Sequence, residues 1–229
     1  RMNCDRRHFL ATSAALGCGA ALALPSRSYA TPAWTDIRQA GPFVCRATFP
    51  LDEHEALLNE LPALEAEVNR VLAVRPPRRP IDVFLLGDRL EHRKFLNENF
   101  PKVPYRRALF VKSSGQAKVY AHRQPELAID LRHECTHAIL HSELDLVPLW
   151  LDEGIAEYFE AAPDERAFGH PHLGALKWNM RLGMVRTIEA LEEKHELSDM
   201  NTADYRFSWA WTHFMFHGPQ AAYGVLLDY

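Results

Sequence analysis

The sequence feature that most constrains the fold is a His-Glu-x-x-His motif at positions 133–137, with His133 and His137 four residues apart. Because an α-helix turns by about 100° per residue, residues four apart lie about 40° apart on one face, one turn along the axis. Two imidazoles so placed can both reach one metal ion at about 2.0–2.1 Å. Glu134 lies beside the first histidine and can act as a general base toward a water molecule at the metal. The motif therefore predicts a helix over these residues and a metal site on one of its faces.

A catalytic metal site needs a third protein ligand, and the segment after the motif supplies an acidic candidate. Glu153 follows His137 after fifteen intervening residues, which is enough for a loop and a return alongside the first helix. Glu157 lies one turn further along, and the apolar neighbours of both glutamates indicate burial. We assign Glu153 as the metal ligand and Glu157 as the acceptor that orients a ligating histidine through its other ring nitrogen. The alternatives are an exchange of these two roles, or a pair of ordinary helix histidines without a metal.

These two segments resemble those of the gluzincin metallopeptidases of the peptidase MA superfamily, over roughly residues 80–217. Residues 150–156, Trp-Leu-Asp-Glu-Gly-Ile-Ala, are similar to the Trp-Leu-x-Glu-Gly-x-Ala stretch of aminopeptidase N-type enzymes, whose glutamate is the third zinc ligand. The pair Glu153 and Glu157 also resembles the Glu-x-x-x-Asp pair of thermolysin. The resemblance extends to a family of small bacterial domains, and the Gly-x-Met-x-Asn amine-binding sequence of aminopeptidase N is absent from the chain. It implies a zincin-like domain with zinc as the cofactor, bound by the three residues proposed above.

The same resemblance implies further site residues. Residues 204–210 resemble a segment of aminopeptidase N-type enzymes in which a tyrosine opens a helix and donates a hydrogen bond to the oxyanion, so Tyr205 is the matching catalytic residue. A core position among the aromatic residues of its helix is the alternative for Tyr205. In this superfamily an edge strand before the active helix pairs with extended peptide, which makes Val119 and Tyr120 substrate-binding candidates. His213, on the same helix as Tyr205, is a third candidate for contacting substrate.

The hydrophobic pattern predicts an α+β fold, with a small N-terminal sheet and helices followed by a mainly helical half that carries the active-site helix. Pro62 lies inside the first helical pattern, which is therefore either kinked or divided into two helices. A proline-rich stretch ends an N-terminal region, 31–80, and the metallopeptidase-like region, 81–229, follows it. Strands are predicted within 34–49 and at 81–86, 108–111 and 118–121, and helices at 52–72, 88–99, 125–141, 149–161, 173–186, 187–195 and 203–217.

The first thirty residues have the pattern of an export signal. Paired arginines at 6–7 precede an apolar run at 11–24, and Ser-Tyr-Ala at 28–30 resembles a signal-peptidase site. This pattern resembles a twin-arginine signal and predicts a periplasmic or extracellular protein. The apolar run of fourteen residues is too short to span a bilayer, so we expect no membrane span in the mature chain. A short membrane anchor and lipoprotein processing at Cys18 are the alternatives.

Charge and cysteine content narrow the partners of the mature chain. Removing residues 1–30, with four arginines and one aspartate, leaves 22 basic and 29 acidic residues, so we expect no nucleic-acid partner. Cys45 and Cys135 remain, and we predict two buried thiols, with a disulfide as the alternative.

The expected function is zinc-dependent hydrolysis of peptide or protein substrates. The alternatives are an envelope domain that binds metal or peptide without turnover, and a purely structural domain without a metal.

Overall fold

The computed structural model describes residues 32–229, and the export signal predicted at 1–30 lies outside the described residues. A five-stranded sheet precedes a mostly helical half, so the predicted α+β fold is confirmed. The strands are β1 (Asp36–Ala40), β2 (Phe43–Ala47), β3 (Ile81–Leu86), β4 (Leu109–Ser113) and β5 (Gln116–His122). The helices are α1 (Glu55–Leu72), α2 (Arg89–Asn99), α3 (Leu127–Glu143), α4 (Leu149–Glu160), α5 (His172–Arg181), α6 (Ile188–Glu192), α7 (Thr202–His217) and α8 (Gln220–Asp228). Within residues 32–229, none of these helices has the length and apolar character that crossing a membrane requires.

The sheet has the order β1-β2-β3-β5-β4, with a parallel centre and antiparallel edges. β2, β3 and β5 run parallel, whereas β1 pairs antiparallel with β2 and β4 pairs antiparallel with β5. The pairing of β2 with β3 joins the chain before the proline-rich stretch to the chain after it. The segment 32–80 therefore shares one hydrophobic core with the rest, and α1 and α3 pack together beside the sheet.

β5 is an internal strand, and this corrects the expectation that Val119 and Tyr120 bind substrate. It pairs with β3 on one side and with β4 on the other, so its backbone hydrogen bonds are already made. Val119 is fully buried and Tyr120 is only 5% exposed. The edge position near α3 belongs instead to β4, which precedes β5 in a hairpin closed by Ser114 and Gly115, both at positive φ.

α1 continues through Pro62 as one helix, so the division into two helices does not occur. The ring of Pro62 packs against the β1–β2 turn, where a Cβ added at Gly41 would lie 3.1 Å from Cβ and Cγ of the proline. Gly41 has φ = +57°, a conformation that other residues rarely adopt. The proline inside the helix is thus one side of a close contact that holds the first hairpin against α1.

α4 packs between α3 and α7, and a glycine allows its close approach to α7. The large side chains of Trp150 and Phe159 are fully buried in this layer. A Cβ added at Gly154 would lie 2.5 Å from both the carbonyl oxygen of Ser208 and Oγ1 of Thr212 on α7. No other residue fits at position 154 without moving α7, so this glycine sets the position of the helix that carries Glu153.

Replacing Gly154 with alanine should lower the free energy of unfolding by about 2 kcal/mol, because the overlap with α7 outweighs the better helix propensity of alanine. Urea unfolding followed by circular dichroism measures the change. Gly174 lies within α5 with no atom within 4 Å of an added Cβ. Gly174→Ala is therefore the control, and should raise the free energy of unfolding by roughly 0.5–1 kcal/mol. Equal stabilisation by both substitutions would refute the close approach at Gly154.

Candidate metal centre

The two histidines of the motif lie on α3 and point their rings to one place. The helical pattern predicted over these residues is confirmed, since α3 runs from Leu127 to Glu143. Nε2 of His133 and Nε2 of His137 are 3.2 Å apart. Both side chains are largely buried, with 17% and 8% of their surfaces exposed. Cys135 is fully buried, and both it and Cys45 are free thiols.

Glu153 on α4 brings its carboxylate to the same place. Oε2 of Glu153 lies 3.6 Å from Nε2 of His133, and Oε1 lies 3.8 Å from Nε2 of His137. Two ligands bound at about 2.0–2.1 Å in a tetrahedral site are separated by about 3.3–3.4 Å. The three separations of 3.2, 3.6 and 3.8 Å are close to that value. These three residues, which the sequence analysis assigned as ligands, therefore form a group that could hold one metal ion.

Each of the two histidines is oriented by a carboxylate on its other ring nitrogen. Nδ1 of His133 is 2.9 Å from Oε2 of Glu160, and Nδ1 of His137 is 3.0 Å from Oδ1 of Asp152. A carboxylate accepts a hydrogen bond from Nδ1–H, which leaves the lone pair of Nε2 free for a metal. The second oxygen of Asp152 is 3.0 Å from Nε2 of His141, so this carboxylate joins two histidines of α3.

Glu157 does not orient a ligating histidine, which corrects the role predicted for it. Its Oε2 lies 2.8 Å from Nε2 of His172, at the start of α5. Glu160, two turns after Glu153 on α4, orients His133 instead, because its carboxylate is the one that reaches Nδ1 of His133. Glu160 and Asp152 were missed in the sequence. Asp152 could have been found as the residue adjacent to Glu153, whereas Glu160 had no signal beyond its helical spacing.

Tyr205 lies in the first turn of α7, and among the described residues it lines neither of the two cavities that contact His133. Asn201 caps this helix, with its side chain accepting hydrogen bonds from the N–H groups of the next turn. Tyr205 is half-buried, and burial together with the negative charge of Glu153 raises the pKa of its hydroxyl, while Arg106 opposes the shift. The raised pKa keeps the phenol protonated at neutral pH.

His213, the third candidate for contacting substrate, has a different environment. Its Nε2 donates a hydrogen bond to the carbonyl oxygen of Ala167 at 2.7 Å. Its ring packs with Trp209, Tyr158 and His217 in an aromatic cluster between α4 and α7. Among the described residues, His213 does not line either cavity next to His133, so the predicted substrate contact is replaced by a packing role.

Buried acids control the charge of the two histidines. Burial lowers the pKa of His133, but the hydrogen bonds with Glu153 and Glu160 outweigh it and raise the pKa well above 6.5. Burial also lowers the pKa of His137, and Asp152 and Glu153 outweigh it in the same way. The acids favour the protonated form of each imidazole, so a cation that binds here competes with protons.

Two cavities open on either side of His133 and Glu134. The smaller, of about 130 Å³, also contacts His137 and Glu153 and is bounded by Leu109 and Phe110 of β4. The larger cavity, of about 400 Å³, also contacts His133 and Glu134. Its remaining lining residues are Arg106, Arg107, Ala108, Ile129, Asp130, Glu157 and Glu160. Because Glu134 lines both cavities, its carboxylate can reach a small molecule placed beside the three ligands.

Comparison with known proteins assigns no family to the chain. No family model matches it, and no curated protein sequence matches it. The chemistry of the site is therefore inferred from its geometry and from the motifs described above.

We expect Glu153→Ala to abolish stoichiometric zinc binding, because two imidazoles alone leave the ion without its third protein ligand. Glu157→Ala is the matched control one turn along the same helix, and should retain zinc. Glu160→Gln should retain zinc with an affinity about 10- to 100-fold weaker, as for loss of a group that orients a ligand. Metal analysis and competition with a chromophoric chelator measure these changes. Zinc retained in Glu153→Ala but lost in Glu157→Ala would reverse the assignment.

Zinc affinity should also fall steeply as the pH drops below neutrality. The pKa values of His133 and His137 are raised, so the metal-free protein keeps these protons up to a higher pH than free histidine does. Zinc must displace them, and the displacement becomes harder on acidification. Chelator competition between about pH 5.5 and 8 checks this, and proton release on binding should appear in calorimetry. An affinity independent of pH would show that these histidines are not the ligands.

Proposed function

We propose that this protein is a zinc-dependent peptidase. The observation that carries the proposal is the convergence of His133, His137 and Glu153 at separations that fit one tetrahedral ion. Glu134 lines both cavities that contact His133, so its carboxylate is available as the general base that a hydrolytic site requires. The resemblance of the two motifs to gluzincin metallopeptidases supports the same conclusion.

The donor set fits zinc better than it fits a hard cation. Two neutral imidazoles and one carboxylate are the ligands of catalytic zinc sites, whereas magnesium and calcium prefer oxygen ligands alone. When bound, zinc would supply Lewis acidity, which polarises the substrate carbonyl and lowers the pKa of water. The carboxylates of Asp152 and Glu160 favour this use of the histidines, because they fix the tautomer that leaves Nε2 available.

The protein's own residues then have separate tasks. Glu134 accepts a proton from the attacking water and transfers it to the amine of the departing product. Tyr205, whose raised pKa keeps it protonated, donates a hydrogen bond to the oxyanion that develops on the substrate carbonyl. Burial of the site strengthens both interactions, because charges interact more strongly away from bulk water.

An extended peptide is the substrate shape that the surroundings favour. Leu109 and Phe110 of β4 line the cavity beside the proposed ligands. Among the described strands β4 pairs with β5 alone, which leaves its other edge for backbone hydrogen bonds to a peptide. This strand replaces β5 in the recognition role expected from the sequence. The pattern at residues 1–30 adds to the proposal that the peptidase acts outside the cytoplasm.

The test is cleavage of an unfolded protein mixture by the zinc-loaded protein. Glu134→Gln should retain zinc but lower kcat/KM by about a thousandfold or more, because the general base is lost. Tyr205→Phe should lower kcat by about a hundredfold with little change in KM, since its hydrogen bond forms only as the oxyanion develops. Removal of zinc by a chelator should abolish cleavage, and added zinc should restore it.

Glu126→Gln is the matched control for these substitutions. Glu126 is an exposed carboxylate just before α3, and its side chain does not cap the helix, so the variant should cleave at the wild-type rate. Zinc binding without any cleavage by the wild type would indicate a metal-binding domain without turnover. Cleavage by Glu134→Gln at the wild-type rate would disprove the mechanism.

A further inference from the structure

A basic pocket adjoins the larger cavity of the metal centre. We call this pocket, which has a volume of about 320 Å³, the arginine pocket. It is lined by Arg89, Tyr105, Arg107, His122 and Gln124. No acidic side chain of the described part of the chain lines it. Two guanidinium groups and a phenol are hydrogen-bond donors, whereas the amide of Gln124 already donates to Asp130. The chemistry of this lining is that of a site for an anion.

One buried donor of the arginine pocket has no acceptor within residues 32–229. The hydroxyl of Tyr105 is buried and makes no hydrogen bond. Arg107 uses Nε and Nη2 for Asp130, at 3.0 and 2.6 Å, and its Nη1 remains without a partner. Arg89 forms no ion pair with the described acids. A buried hydroxyl without an acceptor is unfavourable, and a ligand that accepts hydrogen bonds would remove this penalty.

Positive charge is concentrated around Tyr105. The guanidinium carbons of Arg93 and Arg89 lie 4.5 and 5.7 Å from the centre of its ring. The nearest acid on the same helix, Asp88, caps α2 by accepting hydrogen bonds from the backbone N–H groups of Leu90 and Glu91. Because Arg107 is paired with Asp130, the positive charge left for a ligand is mainly that of Arg89 and Arg93, for which no ion pair is found within residues 32–229.

The arginine pocket is connected to the metal centre through one residue. Arg107 lines both the arginine pocket and the larger cavity, which also contacts His133 and Glu134. Its partner Asp130 lies three residues before His133 on α3, a rise of about 4.5 Å along the helix. An extended peptide advances about 3.3 Å per residue. A peptide bound across Glu134 that runs along the larger cavity toward Arg107 would therefore bring one of its residues to this pocket.

We propose that the arginine pocket binds a carboxylate of the peptide substrate, which gives the protein a preference for acidic peptides. The proposal rests on the proposed function because it takes the occupant of the cleft to be a peptide. A carboxylate accepts hydrogen bonds from guanidinium groups and from a phenol at once, and the charge strengthens each of them. It can come from an aspartate or glutamate side chain or from the C-terminus of the peptide.

Binding to the zinc-loaded Glu134→Gln protein tests the proposal without turnover. Fluorescence anisotropy compares labelled peptides that carry one glutamate with the same peptides carrying glutamine, with the position scanned along the chain. A second pair compares a free C-terminal carboxylate with a C-terminal amide. At one position the carboxylate should improve affinity by about tenfold or more. The pair that shows this effect identifies the side chain or the C-terminus as its source.

Arg89→Gln and Lys94→Gln form a matched pair that separates the pocket from long-range charge. Both residues are exposed cations of α2, but only Arg89 lines the arginine pocket. Arg89→Gln should weaken the affinity for the acidic peptide about tenfold and leave the affinity for the neutral peptide unchanged. Lys94→Gln should change both affinities by less than about threefold. Tyr105→Phe should weaken acidic-peptide binding without lowering thermal stability, because the hydroxyl has no partner to lose.

The outcomes distinguish this proposal from the proposed function. Equal affinities for acidic and neutral peptides, equal effects of Arg89→Gln and Lys94→Gln, or no binding of either peptide would overturn the arginine pocket. Cleavage by the wild type could still be observed in those cases, and the peptidase would then stand alone. Conversely, a carboxylate preference in binding, with no cleavage of any peptide by the wild type, would refute the peptidase while supporting the pocket.

Discussion

The arrangement of the candidate site depends on the mutual neutralisation of buried imidazoles and carboxylates. His133 and His137 are each held between an acid at Nδ1 and Glu153 near Nε2. Burying a carboxylate without a partner is strongly unfavourable, and the same holds for a charged imidazole. Each group is tolerated because the others are present. Such a cluster is costly to keep in a domain that uses it only for stability, since apolar residues of similar volume often stabilise a core as well.

The two helices that form this cluster are fixed by packing on their other faces. α4 carries Asp152, Glu153 and Glu160 toward α3, while Gly154 presses the opposite side of the helix against α7. α3 in turn packs against β5 and α1. The geometry of the proposed ligands is therefore set by backbone positions as well as by side-chain rotamers. A rigid scaffold of this kind suits a site whose groups must be held to within a fraction of an ångström.

The sequence predicted the site best where local geometry decides the answer. His133 and His137 could be paired because a spacing of four is one helical turn whatever the tertiary fold. Glu157 and Glu160 could not be separated in this way, since residues four and seven after Glu153 lie on the same face and only the approach of α4 to α3 selects between them.

The substrate-binding prediction for Val119 and Tyr120 was wrong for a similar reason. Nothing in a hairpin sequence states which of its two strands pairs with the rest of the sheet, and here β4 took the outer place. His213 showed a third limit, because the carbonyl of Ala167 that binds it is distant in sequence.

The open side of β4 also bears on how copies of this chain behave toward one another. A strand with unpaired N–H and C=O groups can be extended by any other strand, including that of a neighbouring molecule. β4 is only five residues long, and Lys112 places a positive charge near the end of this edge strand, where a strand of a second molecule would pair. Both features are ones that natural proteins use against uncontrolled self-association. The peptide recognition proposed for β4 and protection from aggregation thus make opposite demands on the same five residues, and a short strand with one lysine would serve both.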